Sequence, residues 1–442
     1  MSIGVHSEIG PLRRVLVHRP GAEIERMTQH DLDSMLFDDI LAYEETAAEH
    51  DVMTQILRDS GATVVYTRDL LESALQATSE TTRAQFLTRV CELAGVVEAV
   101  GPLLEWAPAR LAEGLIAGIY WREIEATPTS LARIRATLQP GAADAFALNP
   151  LPNLMFMRDP CMAVFDRVVV GRMATTARAR ESLLVSFALQ HAAGPKASLC
   201  FDSVNDKAGA PARLEGGDVL VLSPEALMIG CSMRTSAQTL ERLANEALFD
   251  AHPSLQRVLV VFMPEARSVM HLDTILTQVD RSLFLAHRPL ILGDEGREPL
   301  VVAEVRRGAP PRALVGATVL DALRDTLGES VAIAPCGGED PLHQEREQWT
   351  DGANAVAVAP GHIILYSRNT RTKLALAEHG FSEVRLSTVQ SPEERAALIA
   401  EGASLPRALY SFTGSELSRA RGGGRCLTMP LLRESLGTPG SP

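Results

Sequence analysis

Four short segments carry residue types that could do chemistry together. Cys426 ends the run Arg421-Gly422-Gly423-Gly424-Arg425-Cys426. Its glycines free the backbone for tight turns and close approach to a ligand, and the arginines beside it would favour a thiolate over a thiol. Read as a strand, Met270-His271-Leu272-Asp273-Thr274 projects His271 and Asp273 from one face, with Met270, Leu272 and Thr274 opposite. An imidazole beside a carboxylate can give and take protons near neutral pH, and the carboxylate can grip a cation. Leu214-Glu215-Gly216-Gly217-Asp218-Val219 predicts a sharp turn into a strand with acidic groups at its mouth. In Asn153-Leu154-Met155-Phe156-Met157-Arg158-Asp159-Pro160, the proline biases Asp159 towards extended geometry, directly before an apolar strand.

Each segment alone also fits something plainer: an incidental thiol in a basic loop, a polar strand face, or a solvated turn. Together they supply a cysteine nucleophile, a histidine and three carboxylates. That inventory suits a guanidinium, which is planar, cationic and rich in N–H donors, and is best held by paired carboxylates. Its carbon is a poor electrophile because the charge is delocalised. Carboxylates would orient it, a thiolate attack it, and a histidine supply the proton on which ammonia leaves. An amide hydrolase would need oxyanion donors and has little use for several acids around a neutral carbonyl. No second histidine lies at ligand spacing from His271, so neither metal nor cofactor is expected.

The elements that must position these residues have two textures. Short β-rich runs recur at Arg14–His18, Cys161–Val170 (turning at Asp166-Arg167), Val219–Gly230, Arg257–Phe262, Ser282–His287, Leu300–Val305 and His362–Tyr366. Helical spacing occupies Glu44–Asp59 and Ala237–Phe249 between them. Hairpins separated by helices predict an α/β architecture of similar modules. From about Asp69 to Phe146 strand signals nearly vanish. Phe86, Val90, Leu93 and Val97 are spaced to share one helical face, and helical pattern continues through Leu111–Ile119 and Ser130–Leu138. This stretch is expected to be an inserted, all-helical bundle without a catalytic set.

Composition narrows the function classes. The chain has 442 residues, 46% hydrophobic and 22% charged, enough to bury a large core. Its formal charge of −13, from 55 acidic and 42 basic residues, argues against a nucleic-acid partner and for a small molecule. Six cysteines (Cys91, Cys161, Cys200, Cys231, Cys336, Cys426) show no paired spacing, so neither a disulfide framework nor a zinc motif is expected. The N-terminal segment lacks signal-peptide character, and no apolar run approaches the roughly 20 residues of a membrane span. A cytoplasmic, soluble homo-oligomer is expected, with no membrane partner.

The order Asn-x-x-Phe-x-x-Asp, Glu-Gly-Gly-Asp, Met-His-Leu-Asp-Thr, then a glycine run into a near-terminal cysteine, resembles the arginine deiminases. So do SEIGPLRRVLVHRPG at the start, Leu36-Phe37-Asp38-Asp39, Arg178 in ARARESLL, Gly230 to Ser236, and Glu347-Gln348-Trp349 with Asp351-Gly352-Ala353-Asn354. The matches run from about residue 4 to residue 430. The resemblance implies the five-bladed α/β propeller of the pentein superfamily, with residues 1–68 and 147–442 forming the catalytic body and 69–146 the inserted bundle. It implies hydrolysis of free L-arginine by water to citrulline and ammonia through a covalent Cys426 intermediate. His271 would be acid and then base, Glu215 would share its proton traffic, and Asp159 and Asp273 would clamp the guanidinium. Arg178, Arg234 and Arg421 would bind the α-carboxylate, Asn153 and Asn354 the amino-acid end, and Phe156 the aliphatic part. Asp218 would support the Glu215 turn.

A dimethylarginine hydrolase or a non-catalytic arginine-binding protein would share much of this set. The helical insertion and the three arginines favour the deiminase. This chain departs from the family pattern at Arg425, where some relatives carry histidine, and at Ala353, where asparagine is common. Leu386–Phe412 is expected to be an insertion that opens on a capped helix at Ser391-Pro392-Glu393-Glu394 and forms a lid or subunit contact.

Overall fold

The computed structural model describes residues 2–124, 145–193, 197–204, 212–293 and 297–437. Within them one module recurs: an antiparallel hairpin, a helical crossover, and a third strand parallel to the hairpin's second. Cys161–Val164 and Arg167–Val170 form such a hairpin, the Ala179–His191 helix crosses over, and Leu199–Asp202 pairs parallel with Arg167–Val170. Val219–Ser223, Ala226–Cys231 and Arg257–Phe262 repeat the pattern, extended by Val302–Arg306 and Arg312–Ala313. Leu276–Asp280, Leu283–Ala286 and Ala332–Pro335 follow it, as do Val356–Ala359, His362–Tyr366 and Ala408–Phe412. The last module joins the two ends of the chain. Met429–Arg433 pairs antiparallel with Leu12–Val17, which pairs parallel with Thr63–Tyr66 after the Tyr43–Asp59 helix. Parallel strands need a crossover of a dozen or so residues, and helices supply it here.

The hairpin strands are buried on both faces. Val168, Val169 and Val170 are all buried in succession, as are Val219 to Leu222 and Leu283 to Ala286. Such strands read as continuous apolar runs rather than alternating ones. The expected β-rich runs therefore fall on strands, and Glu44–Asp59 and Ala237–Phe249 fall on helical structure.

Between residues 67 and 117 the helices Thr67–Ala77, Glu80–Ala94, Val100–Leu104 and Pro108–Ala117 follow one another. Leu71, Leu87, Val90, Leu111 and Leu115 share one core with Val164, Val168 and Leu184 of the neighbouring module. The anticipated Phe86-Val90-Leu93-Val97 face is corrected. Phe86, Leu87, Val90 and Cys91 are buried, whereas Leu93 is 41% and Val97 56% exposed. The helix stops at Gly95, which takes the left-handed conformation (φ +70°) at its C-terminus, so the helical spacing does not extend to Val97. The Ser130–Leu138 helix lies outside the described residues.

Leu386–Phe412, expected as an inserted lid, is built into a sheet and lines no part of the cavity that holds Cys426. The Pro392–Ala403 helix, capped by Ser391 and Glu394, is the crossover from Ser382–Leu386 to Ala408–Phe412, which occupies an interior position in its sheet between His362–Tyr366 and Ser382–Leu386. Its Ile399 packs with Met53 and Ile56 in the core, and Arg395 Nε donates to Gln55 Oε1 at 2.6 Å. Among the described residues no helix is long and apolar enough to cross a membrane.

The five modules share one further feature. The loop entering the first strand of each hairpin carries a polar side chain inward: Asp159 before Cys161, Glu215 before Val219, His271 and Asp273 before Leu276, Asn354 before Val356, and Cys426 before Met429. The repeat gathers these residues, which are scattered along the chain, into one place.

Candidate active site

A cavity of about 400 Å³ is lined by Asn153, Phe156, Asp159, Arg178, Arg234, His271, Arg421 and Cys426. Glu215, Asp273 and Asn354 are buried behind that lining. All the residues anticipated from sequence thus meet at one site, but several stand differently from the expectation.

His271 and Asp273 do not lie on a strand. His271 has extended backbone and leads into a single 3₁₀ turn at Leu272–Thr274, stapled by Thr274 Oγ1 donating to the His271 carbonyl at 2.6 Å. His271 Nε2 lies 2.8 Å from Glu215 Oε2, and its Nδ1 lies 3.8 Å from Asp159 Oδ1. Burial alone would lower the histidine's pKa. The charge on Asp159 and the bond to Glu215 outweigh burial and push it up to about 9, so the imidazole is cationic at neutral pH. Burial opposes the Glu215 charge, but the hydrogen bond to His271 and the nearby cations hold its carboxyl below the usual carboxylate range.

The Glu215 turn is built for this contact. A Cβ on Gly217 would lie 2.7 Å from the His271 ring, so only glycine lets the imidazole rest on the turn. Asp218 braces it from behind, accepting from the Leu272 N–H at 2.9 Å and the Ser232 hydroxyl at 2.7 Å. That is the supporting part anticipated for Asp218.

Cys426 is 6% exposed, with Sγ 3.8 Å from Asp273 Oδ2. Burial pushes its thiol well above the usual range, and the charges on Asp273, Asp159 and Asp351 add to this against a smaller opposite effect of Arg425. This corrects the expectation that flanking arginines make a thiolate. Arg425 is fully buried and committed elsewhere: Nη1 lies 2.8 Å from Asp273 Oδ2, Nε 3.1 Å from Glu8 Oε2, and Nη2 donates to the Val219 carbonyl at 2.7 Å. At neutral pH Cys426 is held as a thiol.

Asn354, expected at the amino-acid end of a substrate, ties down the Cys426 loop. Its Oδ1 accepts from the Arg425 and Cys426 N–H groups at 3.0 Å each, and its Nδ2 donates to the Asp273 carbonyl at 3.0 Å. Asn153 Nδ2 donates to the Met35 carbonyl at 2.6 Å. Phe156 packs against Gly422, where a Cβ would collide with its ring.

The three anticipated arginines differ in their engagement. Arg178 is buried among Asp159 (2.8 Å), Glu181 (2.8 Å) and Glu215 (3.9 Å). Arg234 reaches Glu215 Oε1 at 3.4 Å. Among the described residues Arg421 has no carboxylate closer than Asp38, at 4.0 Å, and its guanidinium lies 3.3 Å over the Trp349 ring. Arg213 and Arg267 also line the cavity. The site therefore has an acidic floor and a basic rim, which matches a ligand with a cation at one end and an anion at the other.

Asp159, Glu215 and His271 offer ligand atoms within 4.8 Å of one another, a spacing that could hold a metal ion. Arg178 stands against it, its guanidinium already on Asp159 and near Glu215. The Asp159 Oδ1 atom, buried and without a hydrogen-bond partner, is the open acceptor. An N–H-bearing cation fits there.

Glu8, Arg158, Glu181 and Asp351 were not anticipated from sequence. Glu8 sits 417 residues before its partner Arg425, in the SEIGPL segment, and accepts from the Val221 N–H at 3.0 Å. The charged type was visible in each case, but the partner was not.

The sequence model of the arginine deiminase family matches residues 33–433. An arginine deiminase of Listeria monocytogenes is 35% identical over 444 residues, covering 98% of each chain. One from Bacillus cereus is 34% identical over 445 residues, covering 98% of this chain and 99% of its own. Among solved structures, unliganded AgrE superposes with a TM-score of 0.50 at 14% identity, covering 96% of this chain and 40% of that one. That likeness concerns the fold.

Proposed function

The chain belongs to the arginine deiminase family, and from that membership we propose that it hydrolyses free L-arginine to L-citrulline and ammonia through a covalent Cys426 intermediate. The observation that carries this reading is the convergence of a buried thiol, a cationic histidine and an unpartnered carboxylate oxygen on one cavity with an arginine-rich rim.

The substrate guanidinium enters against Asp159 Oδ1 and the Asp273 side of the sulfur. Its positive charge offsets the carboxylates that keep Cys426 protonated, and Asp273 takes the thiol proton as sulfur becomes nucleophilic. Sulfur bonds to the guanidinium carbon, and His271 delivers its proton to the departing nitrogen, which leaves as ammonia. The neutral His271 then takes a proton from water. The resulting hydroxide attacks the amidino carbon and the carbon–sulfur bond breaks. Asp273 returns its proton to the thiolate, and the product's hydroxyl proton passes to ammonia as citrulline is released. Glu215 keeps the imidazole oriented through both halves and favours its protonated form between them.

Arg178, Arg234 and Arg421 receive the α-carboxylate, and Phe156 flanks the aliphatic chain. Arg178 keeps its carboxylate partners, so its share is mainly electrostatic, whereas Arg421 brings free donors. The five repeated modules support a five-bladed propeller with 69–146 as an inserted helical unit. The acidic balance supports a small-molecule partner, and six free thiols support a reducing cytoplasm.

The test is a citrulline assay on purified protein with arginine, with dimethylarginine and with Cys426→Ala. Wild type is expected to form citrulline from arginine in the presence of a chelator, to prefer arginine to its methylated form, and to lose all turnover in the variant. Wild-type turnover by Cys426→Ala would overturn the covalent route.

A further inference from the structure

Arg421 is held in an unusual way. Its backbone is left-handed (φ 67°), one of four non-glycine residues with positive φ among those described, and Asp351 (φ 61°) is another. Strained backbone of this kind persists only where its surroundings hold it, and it gathers at functional sites. The central carbon of the Arg421 guanidinium lies over the Trp349 ring, 3.3 Å from its centroid. Its Nε and Nη1 are buried without a hydrogen-bond partner, and so is Asp351 Oδ2. Burial pushes the Asp351 carboxyl up to about 7, against the opposing pull of Arg421. Neither Trp349 nor Asp351 lines the cavity, although Arg421 does.

Stacking fixes the plane of a guanidinium without using its N–H donors, which point outward in that plane. The Asp351 charge attracts the cation without closing an ion pair with it. The result is an arginine oriented at the rim with donors free. An arginine left to wander would lose rotamer freedom on each binding event, and this one is already ordered.

We propose that Trp349 and Asp351 are positioning residues that hold Arg421 ready for a substrate carboxylate, so that their loop selects an amino acid over its decarboxylated amine. The inference rests on the arginine deiminase reading and goes beyond it in locating what sets the selection.

The test compares arginine with agmatine, which is arginine without its carboxylate, in wild type, Trp349→Ala, Trp349→Phe and Asp351→Asn. Trp349→Ala and Asp351→Asn are expected to raise the KM for arginine about 10-fold with kcat within about 2-fold. The kcat/KM for agmatine, or its inhibition constant where turnover is too slow, is expected to stay unchanged, and Trp349→Phe to restore most of the arginine KM. Equal losses for arginine and agmatine, or an unchanged arginine KM in Trp349→Ala, would overturn the proposal. Trp349 is 45% exposed, so its variants keep the test open even if Asp351→Asn does not fold. Failure of the deiminase reading shows separately, as a wild type that forms no citrulline from arginine.

Discussion

His271 Nε2 and Glu215 Oε2 stand 2.8 Å apart with both side chains buried, and this bond, beside the larger effect of the Asp159 charge, holds the imidazole protonated. In the proposed mechanism ammonia leaves only while His271 is protonated. Burial lowers the His271 pKa, but Asp159 and Glu215 together carry it from 6.5 up to about 9. We therefore expect kcat to fall as pH rises through about 9. The same raised value means that the charged pair stabilises the fold fully below 6.5 and that this contribution is lost as pH rises through about 9. Glu215→Gln removes the anion, so the basic limb should move to lower pH while kcat falls about 100-fold or more. Steady-state kcat against pH for both proteins measures this. Superimposable profiles would remove Glu215 from the proton chemistry.

Cys426 should be sluggish towards alkylating agents in the empty enzyme. Burial comes first among the causes that raise its thiol, followed by the Asp273 carboxylate. Iodoacetamide inactivation of wild type is expected to accelerate only at pH values above those of an ordinary thiol. Asp273→Asn removes the nearest charge and leaves Arg425 without one partner, both of which favour thiolate. Inactivation near neutral pH should then be about 10-fold faster or more, since one adjacent charge moves a pKa by about 1 to 3 units. Slower inactivation of the variant would show that Asp273 activates sulfur in the free enzyme.

Much of this arrangement could be read from sequence, and the failures share a cause. Runs such as Cys161–Val170 and Val219–Gly230 declared the hairpins because strands buried on both faces are continuous and apolar. Met270 to Thr274 alternates apolar and polar residues like a strand, yet it forms a turn that presents His271 and Asp273 just as well. A two-residue spacing does not distinguish the two geometries. Gly95 was the sign that the helical face ended before Val97. The thiolate expectation counted Arg421 and Arg425 as neighbours of Cys426, but their guanidinium groups answer to Trp349 and to Glu8 and Asp273. Direction of approach is a tertiary property, invisible where charges are adjacent only along the chain.

The Pro392–Ala403 helix provides a sharp test of the fold. As a lid it could be removed, but as the crossover between Ser382–Leu386 and Ala408–Phe412 it cannot be. Replacing residues 391–404 with a short flexible linker is expected to abolish soluble expression, because two parallel strands cannot be joined by a tight turn. A soluble, cooperatively melting deletion variant would contradict that role.

Gly217→Ala should damage catalysis while sparing the fold. Its new methyl would press on the His271 ring at 2.7 Å, displacing the imidazole from Glu215 and from the cavity. A shift of about 1 Å in a catalytic group is sufficient for a loss of about 100-fold in kcat. Circular dichroism and melting temperature should change little beside that loss. An active Gly217→Ala would show that the histidine does not depend on the turn beneath it.

Asn354→Ala is expected to separate positioning of the nucleophile from binding of the substrate. The side-chain oxygen accepts from two consecutive buried N–H groups, those of Arg425 and Cys426, and the alanine variant leaves both without a partner. Each buried donor left unpaired costs about 1 to 3 kcal/mol, so a loss of about 2 to 6 kcal/mol in unfolding free energy should follow. The nucleophile loop would also lose its tie to the Asp273 carbonyl. Because Asn354 does not line the cavity, kcat should fall by more than 10-fold with a much smaller change in KM, consistent with lost orientation rather than lost contact. Asn354→Asp keeps an acceptor but adds a charge beside an already acidic site, and should raise the Cys426 thiol further. Urea denaturation and steady-state kinetics on both variants check this. A rise in KM at constant kcat would instead return Asn354 to the substrate.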